Sequence, residues 1–174
     1  MQPMRRSDRE VLDLDEILDI IEACDVCRIA MVDDGVPYIV PMNFGYMFDG
    51  EKLHLCFHSA SEGRKLDILR RNPNVCFEMD TDHALTKGET LCQYGMDYAS
   101  VIGMGTARIV ETPREKCEML SSVMLHTAGR FELFLPEQVK NVAVFEIVSD
   151  DVTAKRRRTA KPAEAAKPES GEDA

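Results

Sequence analysis

No run in the 174-residue sequence approaches the roughly 18 consecutive apolar residues that a helix needs to cross a bilayer, so no membrane-spanning helix is expected. The opening MQPMRRSDREVLDLDEIL carries arginines but no apolar segment and no small-residue cleavage site. It does not read as a secretory signal, and the cytoplasm is the expected compartment. No G-x-G-x-x-G follows a strand-like run, which argues against a dedicated Rossmann dinucleotide domain. No internal repeat is present. Cys24-Asp25-Val26-Cys27 is formally a C-x-x-C, yet there is no second pair and no spaced histidines to complete a zinc site. A thioredoxin-like reading needs the pair at a strand-to-helix turn, whereas here it follows a predicted helix and enters a strand. A buried or half-buried structural pair is the expectation. Cysteines in runs such as LHLCFH and NVCFEM likewise behave as small hydrophobes.

What is present is one domain's length of ordinary composition with an uneven charge. The net charge is −10, but residues 155–174 hold six basic and four acidic side chains, so the preceding body carries about −12. Such a body repels phosphate backbones, and nucleic-acid binding by it is not expected. The Lys155–Arg158 run reads as a solvated tail, with nucleic-acid contact as the other reading. The tail AKRRRTAKPAEAAKPESGEDA, after Val152, has no large apolar residue, so residues 1–152 are expected to fold and 153–174 to form a disordered charged tail.

Along the body, Leu14, Ile17, Leu18 and Ile21 mark one face of a first helix, with Asp13 and Asp15 suited to its N-terminal end. Cys27–Val32, Val36–Phe48 and Lys52–His58, broken by Asp-Gly turns, predict a three-strand meander. Pro37 and Pro41 suggest that its middle strand is irregular or lies at an edge. A second helix is predicted in SASEGRKLDILRRN, with a Ser59/Glu62 capping box and Leu66 and Leu69 turned inward, stopped by Asn72-Pro73-Asn74. Val75–Met79 returns to strand, Thr81–Thr90 reads as loop, and Tyr98–Val110 is a long strand with Gly103 and Gly105 where a bulge fits. Thr112-Pro113-Arg114-Glu115 opens a third helix with an N-cap, an N1 proline and a capping-box glutamate. Val142–Val148 closes the order, which points to an α+β protein built on a small antiparallel barrel.

Three stretches carry chemistry. In FHSASEGRKLDILRRNPNVCFEMD a strand ends at His58, hydroxyls follow at Ser59 and Ser61, and Gly63, Arg64 and Lys65 arrive as a helix begins. A helix N-terminus with two cations and nearby hydroxyls suits a phosphate, while the plain alternative is a solvated helix start. In PYIVPMNFGY the proline, asparagine and glycine among strand formers turn backbone groups toward something other than a neighbouring strand. The Asn43 amide there can meet a heterocycle edge or satisfy a bulge. In YGMDYASVIGMG a hydroxyl, apolar residues and two glycines can make a wall for a flat ligand.

PYIVPMNFGY, FHSASEGRKLDILRRNPNVCFEMD and YASVIGMGTARIVETPREK, in this order, resemble the pyridoxamine phosphate oxidase-like flavin-binding family. The Met4–Glu10 opening, MRRSDRE, is similar to its nitroimidazole-resistance branch, and the most specific piece is H-x-A-x-x-G-x-K at His58, Ala60, Gly63 and Lys65. The resemblance covers about residues 4–150. It implies a six-stranded antiparallel split β-barrel with flanking helices, dimerising with FMN (or FAD) sites at the interface. By the same resemblance Met42, Asn43 and Phe44 would lie along the flavin ring. His58, Ser59, Ala60, Gly63, Arg64 and Lys65 would surround its phosphate end, and Ser100 and Val101 would come from the partner chain. His58 would stand on the substrate side as the catalytic candidate, Tyr98 being the other available proton donor. The implied activity is an FMN-dependent oxidoreductase that reduces small electron-poor acceptors such as nitroaromatics, with transiently bound NAD(P)H as donor. The alternative is a flavin- or haem-binding protein without turnover. Vitamin oxidase activity is not expected, because the oxidases proper hold a substrate phosphate with additional arginines and a histidine near the C-terminus, and this chain, whose barrel ends at VAVFEIVSDDVTAK, is read as lacking them after Val142.

Overall fold

The computed structural model describes residues 4–159. After a two-residue strand β1 (Glu10–Val11), helix α1 (Leu14–Glu22) starts where Asp13 stays extended and its carboxylate accepts the Glu16 amide. That N-cap satisfies one of the donors every helix start leaves open. Ile21 of the expected face is fully buried, and so is Ile20, which lies outside it, while Leu14 stays exposed. Strands β2 (Cys27–Asp33) and β3 (Val36–Met42) form a hairpin whose Asp34-Gly35 turn has φ of 49° and 84°. Two successive left-handed residues are what a primed turn requires, because its twist matches that of the flanking strands. β3 pairs only with β2, so Pro37 and Pro41 do sit on an edge strand, where a missing N–H is tolerated.

The predicted run Val36–Phe48 proves to be two strands that do not pair. β4 (Gly45–Phe48) pairs instead with β5 (Leu53–Ala60), and Asn43-Phe44 carries the chain from one edge of the sheet to the other. The remaining elements are α2 (Arg64–Arg71), β6 (Asn74–Thr86), β7 (Gly95–Val110), α3 (Pro113–Ala128) and β8 (Val142–Arg157). All pairings are antiparallel, in the order β3-β2-β6-β7-β8-β5-β4 with β1 added beside β8. β3 and β4 therefore end opposite flanks of the sheet, yet Met42 and Gly45 are separated by only three peptide steps, at most roughly 11 Å. The sheet must curl until its flanks meet at this link without hydrogen-bonding to one another, which makes an open split barrel.

Its interior holds Ile29, Leu55, Phe77, Met79 and Ile147, with Phe57 stacked on Phe145 at a centroid distance of 5.0 Å. A second cluster lies outside the wall, where Met119, Leu120 and Val123 of α3 cover Cys56, Val110 and Val144. β5 is thus buried on both faces at Leu55, Cys56 and Phe57. α3 starts as its sequence predicts, with Thr112 accepting the Glu115 amide and proline in the first turn. It crosses β4 so closely that a Cβ on Gly45 would run into the backbone of Ser122 and Val123.

Other expectations need correction. The sheet has eight strands, not six. The Ser59/Glu62 capping box does not form: β5 continues through Ala60, the Ser59 hydroxyl donates to the Ala60 carbonyl at 2.9 Å, and α2 begins later with Gly63 as an N-cap at φ 142°. Leu66 and Leu69 do face inward, joined by Ile68. Thr81–Thr90 is not all loop, since β6 runs to Thr86 through a register shift between Thr81 and Ala84, with Asp82 at φ 59°. The bulge expected near Gly103 and Gly105 lies between Met104 and Thr106. Folded chain also extends past Val152: β8 reaches Arg157, Ala154 is buried between Val11 and Val101, and Arg156 pairs with Glu16. Of the basic residues expected to be solvated, Arg156 and Arg158 instead meet carboxylates on α1 and β6, those of Glu16 and Asp82. Residues 160–174 of the expected tail lie outside the described residues.

Candidate functional site

A cleft of about 280 Å³ opens beside the β3–β4 link. Met42 and Asn43 line one side, His58, Ser59 and Ala60 at the end of β5 line the other, and Lys65 reaches in from the first turn of α2. Six of the residues singled out from sequence therefore meet in one place. Lys65 is half-buried and forms no ion pair among the described residues. No side chain caps α2, and the Gly63 carbonyl receives the Leu66 and Asp67 amides, which leaves the leading amides of the helix open. His58 is exposed at the cleft. The Asn43 amide nitrogen donates to the Asp25 carbonyl at 3.1 Å, so its oxygen and one remaining hydrogen are available to a ligand.

The other expected residues lie elsewhere. The Arg64 guanidinium turns to the β2–β3 hairpin, donating to Asp33 at 2.9 Å and lying 4.3 Å from the Tyr38 ring centroid. Arg71 grips the same Asp33 carboxylate, so Arg64 first of all ties α2 to the hairpin. Gly63 is exposed at the N-cap. The Phe44 ring is fully buried, leaving only its backbone near the cleft. Ser100 and Val101 lie on β7, two strands away from β5, and do not line the cleft of their own chain. Val101 points into the core, and Ser100 lies opposite Asp80 and Lys155.

The Cys24 and Cys27 thiols are buried. Desolvation, reinforced by nearby carboxylates, pushes Cys24 up to about 12 and raises Cys27 as well, which removes thiolate at neutral pH. This supports the structural reading of the pair. Among the described residues, no group of three or more His, Cys, Asp or Glu side chains is placed to hold a metal ion.

The family model described as pyridoxamine 5'-phosphate oxidase matches residues 13–156. The chain belongs to that family. Among solved structures of its fold, a candidate 5-nitroimidazole antibiotic resistance protein from Bacteroides thetaiotaomicron is 34% identical, with a TM-score of 0.73, over 84% of this chain and 85% of that one. A flavocytochrome from Azotobacter vinelandii, at 18% identity and a TM-score of 0.73, covers 95% of this chain and 76% of its own, and shares the fold. An uncharacterized protein of Rhizobium meliloti is 33% identical over 69 residues, 40% of this chain and 42% of that one, so the match spans under half of that relative.

Within the pyridoxamine 5'-phosphate oxidase fold, the arginines past Ala154 are already engaged: Arg156 with Glu16, and Arg157 with the Met96 carbonyl. Sequence reasoning missed three groups that hold the elements around the cleft. Asp33 looks like a turn residue in the sequence, and its partners Arg64 and Arg71 lie too far along the chain to mark it. His126 looked like one polar residue on an amphipathic helix, and nothing local marks it. Tyr46 read as a strand residue, yet burial and then a hydrogen bond to Glu22 raise its pKa to about 12.

Proposed function

We propose that this chain binds FMN, with FAD as the alternative, in the cleft between the β3–β4 link and α2. In this reading it works as a dimer that reduces small electron-poor acceptors, nitroaromatics among them, with electrons from NAD(P)H. The observation that carries the reading is the half-buried Lys65 ammonium, without an ion-pair partner among the described residues, beside the uncapped start of α2. In a body of about −12 that arrangement suits an anion, and a phosphate best. The residues fit such a group: open helix amides and Lys65 at one end, and the Met42–Asn43 backbone with the free Asn43 oxygen at the other. About 280 Å³ is small against the roughly 300–1,000 Å³ of ordinary ligand sites, which favours a second chain completing the enclosure. Ser100, on β7, is a candidate contribution from that second chain.

Flavin supplies the redox chemistry when bound. Lys65 and the helix start would hold its phosphate, the Met42–Phe44 backbone would set the ring against the barrel slit, and exposed His58 would face substrate as a proton donor. Six free thiols suit the reducing cytoplasm, where we place the protein. Among the described residues no helix is long and apolar enough to cross a membrane.

The test is a visible spectrum of the purified protein with mass identification of the chromophore, followed by titration with FMN and riboflavin. Lys65→Ala is expected to weaken FMN binding roughly 10- to 100-fold, the worth of a charge-assisted phosphate contact, while leaving riboflavin unchanged. Equal FMN affinity in the variant removes Lys65 from the site. A Soret band in place of flavin bands moves the reading to haem binding, for which exposed His58 is the available ligand in the cleft.

A further inference from the structure

The β3–β4 link is two residues long, and both are held from the far side of the wall. Asn43 donates to the Asp25 carbonyl at 3.1 Å. The neighbouring carbonyl, that of Cys24, lies 2.9 Å from Nε2 of His126 on α3. A carbonyl only accepts, so Nε2 carries the proton. The His126 side chain is 5% exposed, and Nδ1 lies 3.4 Å from a Glu22 carboxylate oxygen. Its ring also faces Phe44 at a centroid distance of 4.4 Å, with the Tyr46 ring edge-on at 5.5 Å. Tyr46 in turn hydrogen-bonds Glu22. One imidazole thus touches the aromatic residue of the link, Tyr46 two residues further along, and the loop whose next carbonyl orients Asn43.

We infer that His126 is a positioning residue for the cleft, fixing the Asn43 amide and the Met42–Phe44 backbone through Phe44 and the Cys24–Asp25 loop. The inference rests on the cleft being the cofactor pocket proposed above. His126 lies behind the wall, and it acts on what the wall presents. Phe44 passes the position of the helix to the link by packing, and the Cys24–Asp25 peptide passes it by hydrogen bonds. The two routes converge on Asn43, whose remaining amide atoms face the ligand. Removing the Nε2 donor leaves the Cys24 carbonyl without that partner and lets the loop shift, carrying the Asn43 acceptor with it.

The test compares the protein as purified, without added flavin, with His126→Phe and His126→Gln. Phenylalanine keeps a ring against Phe44 but removes the donor, and glutamine returns an N–H near the Nε2 position. The direct readout is the Asn43 side-chain amide resonance and its hydrogen exchange, followed by NMR. His126→Phe is expected to displace that resonance and speed its exchange roughly tenfold, and His126→Gln to restore both. FMN titration of the same variants adds Asn43→Ala and the His126→Phe/Asn43→Ala double variant. The double variant is expected to bind no worse than the weaker single one, because both changes act through one link. An unmoved Asn43 resonance in His126→Phe overturns the inference, and so do additive losses in the double variant. If His126→Phe fails to fold, His126→Leu, which also removes the donor, takes its place: a displaced Asn43 resonance supports the role, and an unmoved one overturns it. A wild-type chain that takes neither FMN nor FAD overturns the pocket reading alone, and the amide data still decide for or against His126.

Discussion

Glu146 is a carboxylate set into a barrel wall, its side chain 5% exposed, and it is held by charge from two neighbouring strands. His54 Nδ1 lies 2.8 Å away on β5, and Arg108 on β7 reaches it with two nitrogens at 2.8 and 2.9 Å. Arg108 also contacts Glu115 at 3.2 Å, and the second His54 nitrogen lies 3.0 Å from Asp49. Burial alone would lower the His54 pKa, but hydrogen bonds to Asp49 and Glu146, together with their charge, outweigh it and raise the value above 6.5. The Asp49 carboxyl is held well below its usual range by the Lys52 and Glu51 amides and by His54. Cys56 faces the same glutamate with its thiol pushed up to about 12 by desolvation first, so it does not titrate in the neutral range. A group whose folded pKa is raised stabilises fully below its unfolded pKa and loses that contribution as pH climbs through the folded value. The melting temperature is therefore expected to fall between about pH 6.5 and the mildly alkaline range, and His54→Gln to flatten that slope. Scanning fluorimetry across a buffer series checks it, and an unchanged slope in the variant places the proton uptake elsewhere.

At the scale of elements, the end of β8 changes what truncation should do. Lys155, Arg156 and Arg157 pair with Ser100, Ala99 and Tyr98 of β7, and Lys155 also faces Glu10 of β1. Cutting the chain after Ala154 removes this ladder and leaves Glu16 without Arg156. The expected loss of about 2 kcal/mol corresponds to a melting temperature lower by roughly 5 °C. A wild-type melting curve from that truncation would show that the last strand residues contribute nothing. The helices were legible because each carries a local signal that the structure uses: Asp13, Thr112 with Pro113, and Asn72 before Pro73. Hairpin turns were legible for the same reason. The split of Val36–Phe48 was not, because β3 and β4 share a strand-like composition and only tertiary pairing separates them. The far end of β6 was hidden because Asp82–Leu85 is exposed throughout and has no buried face to create an alternation. In the site, the glycine and lysine of H-x-A-x-x-G-x-K announced the helix start, whereas the roles of Arg64, Asp33 and His126 depend on partners 31 to 104 residues away in the chain.

Across the whole molecule, one sheet face is more apolar than water favours. On the outer side of β3, β2, β6 and β7, Ile39, Ala30, Cys76 and Met104 form a row through successive pairings. Pro41, Arg28, Glu78 and Ile102 form the next. Met104 is 53% exposed, Ile39 59% and Ile102 45%, and a concavity of about 590 Å³ opens beside Met104, Val32 and Pro37. Exposed apolar side chains grouped in this way, with only the Arg28–Glu78 pair between them, suit a protein contact. Side chains alternate along a strand, so Ser100 shares the outward face with Ile102 and Met104. A second copy seated here would cover the patch and present its Ser100 toward a neighbouring chain, which is what an interfacial flavin site needs. Met104→Glu places a charge in the middle of the row, while in the monomer the side chain stays in water and the fold should be unaffected. By sedimentation velocity the wild type is expected to run as a dimer and the variant to dissociate at least roughly tenfold more readily. Flavin retention should fall together with dimerisation. A variant that remains dimeric moves the interface to another face, and a monomeric variant that keeps its flavin shows that one chain encloses the cofactor alone.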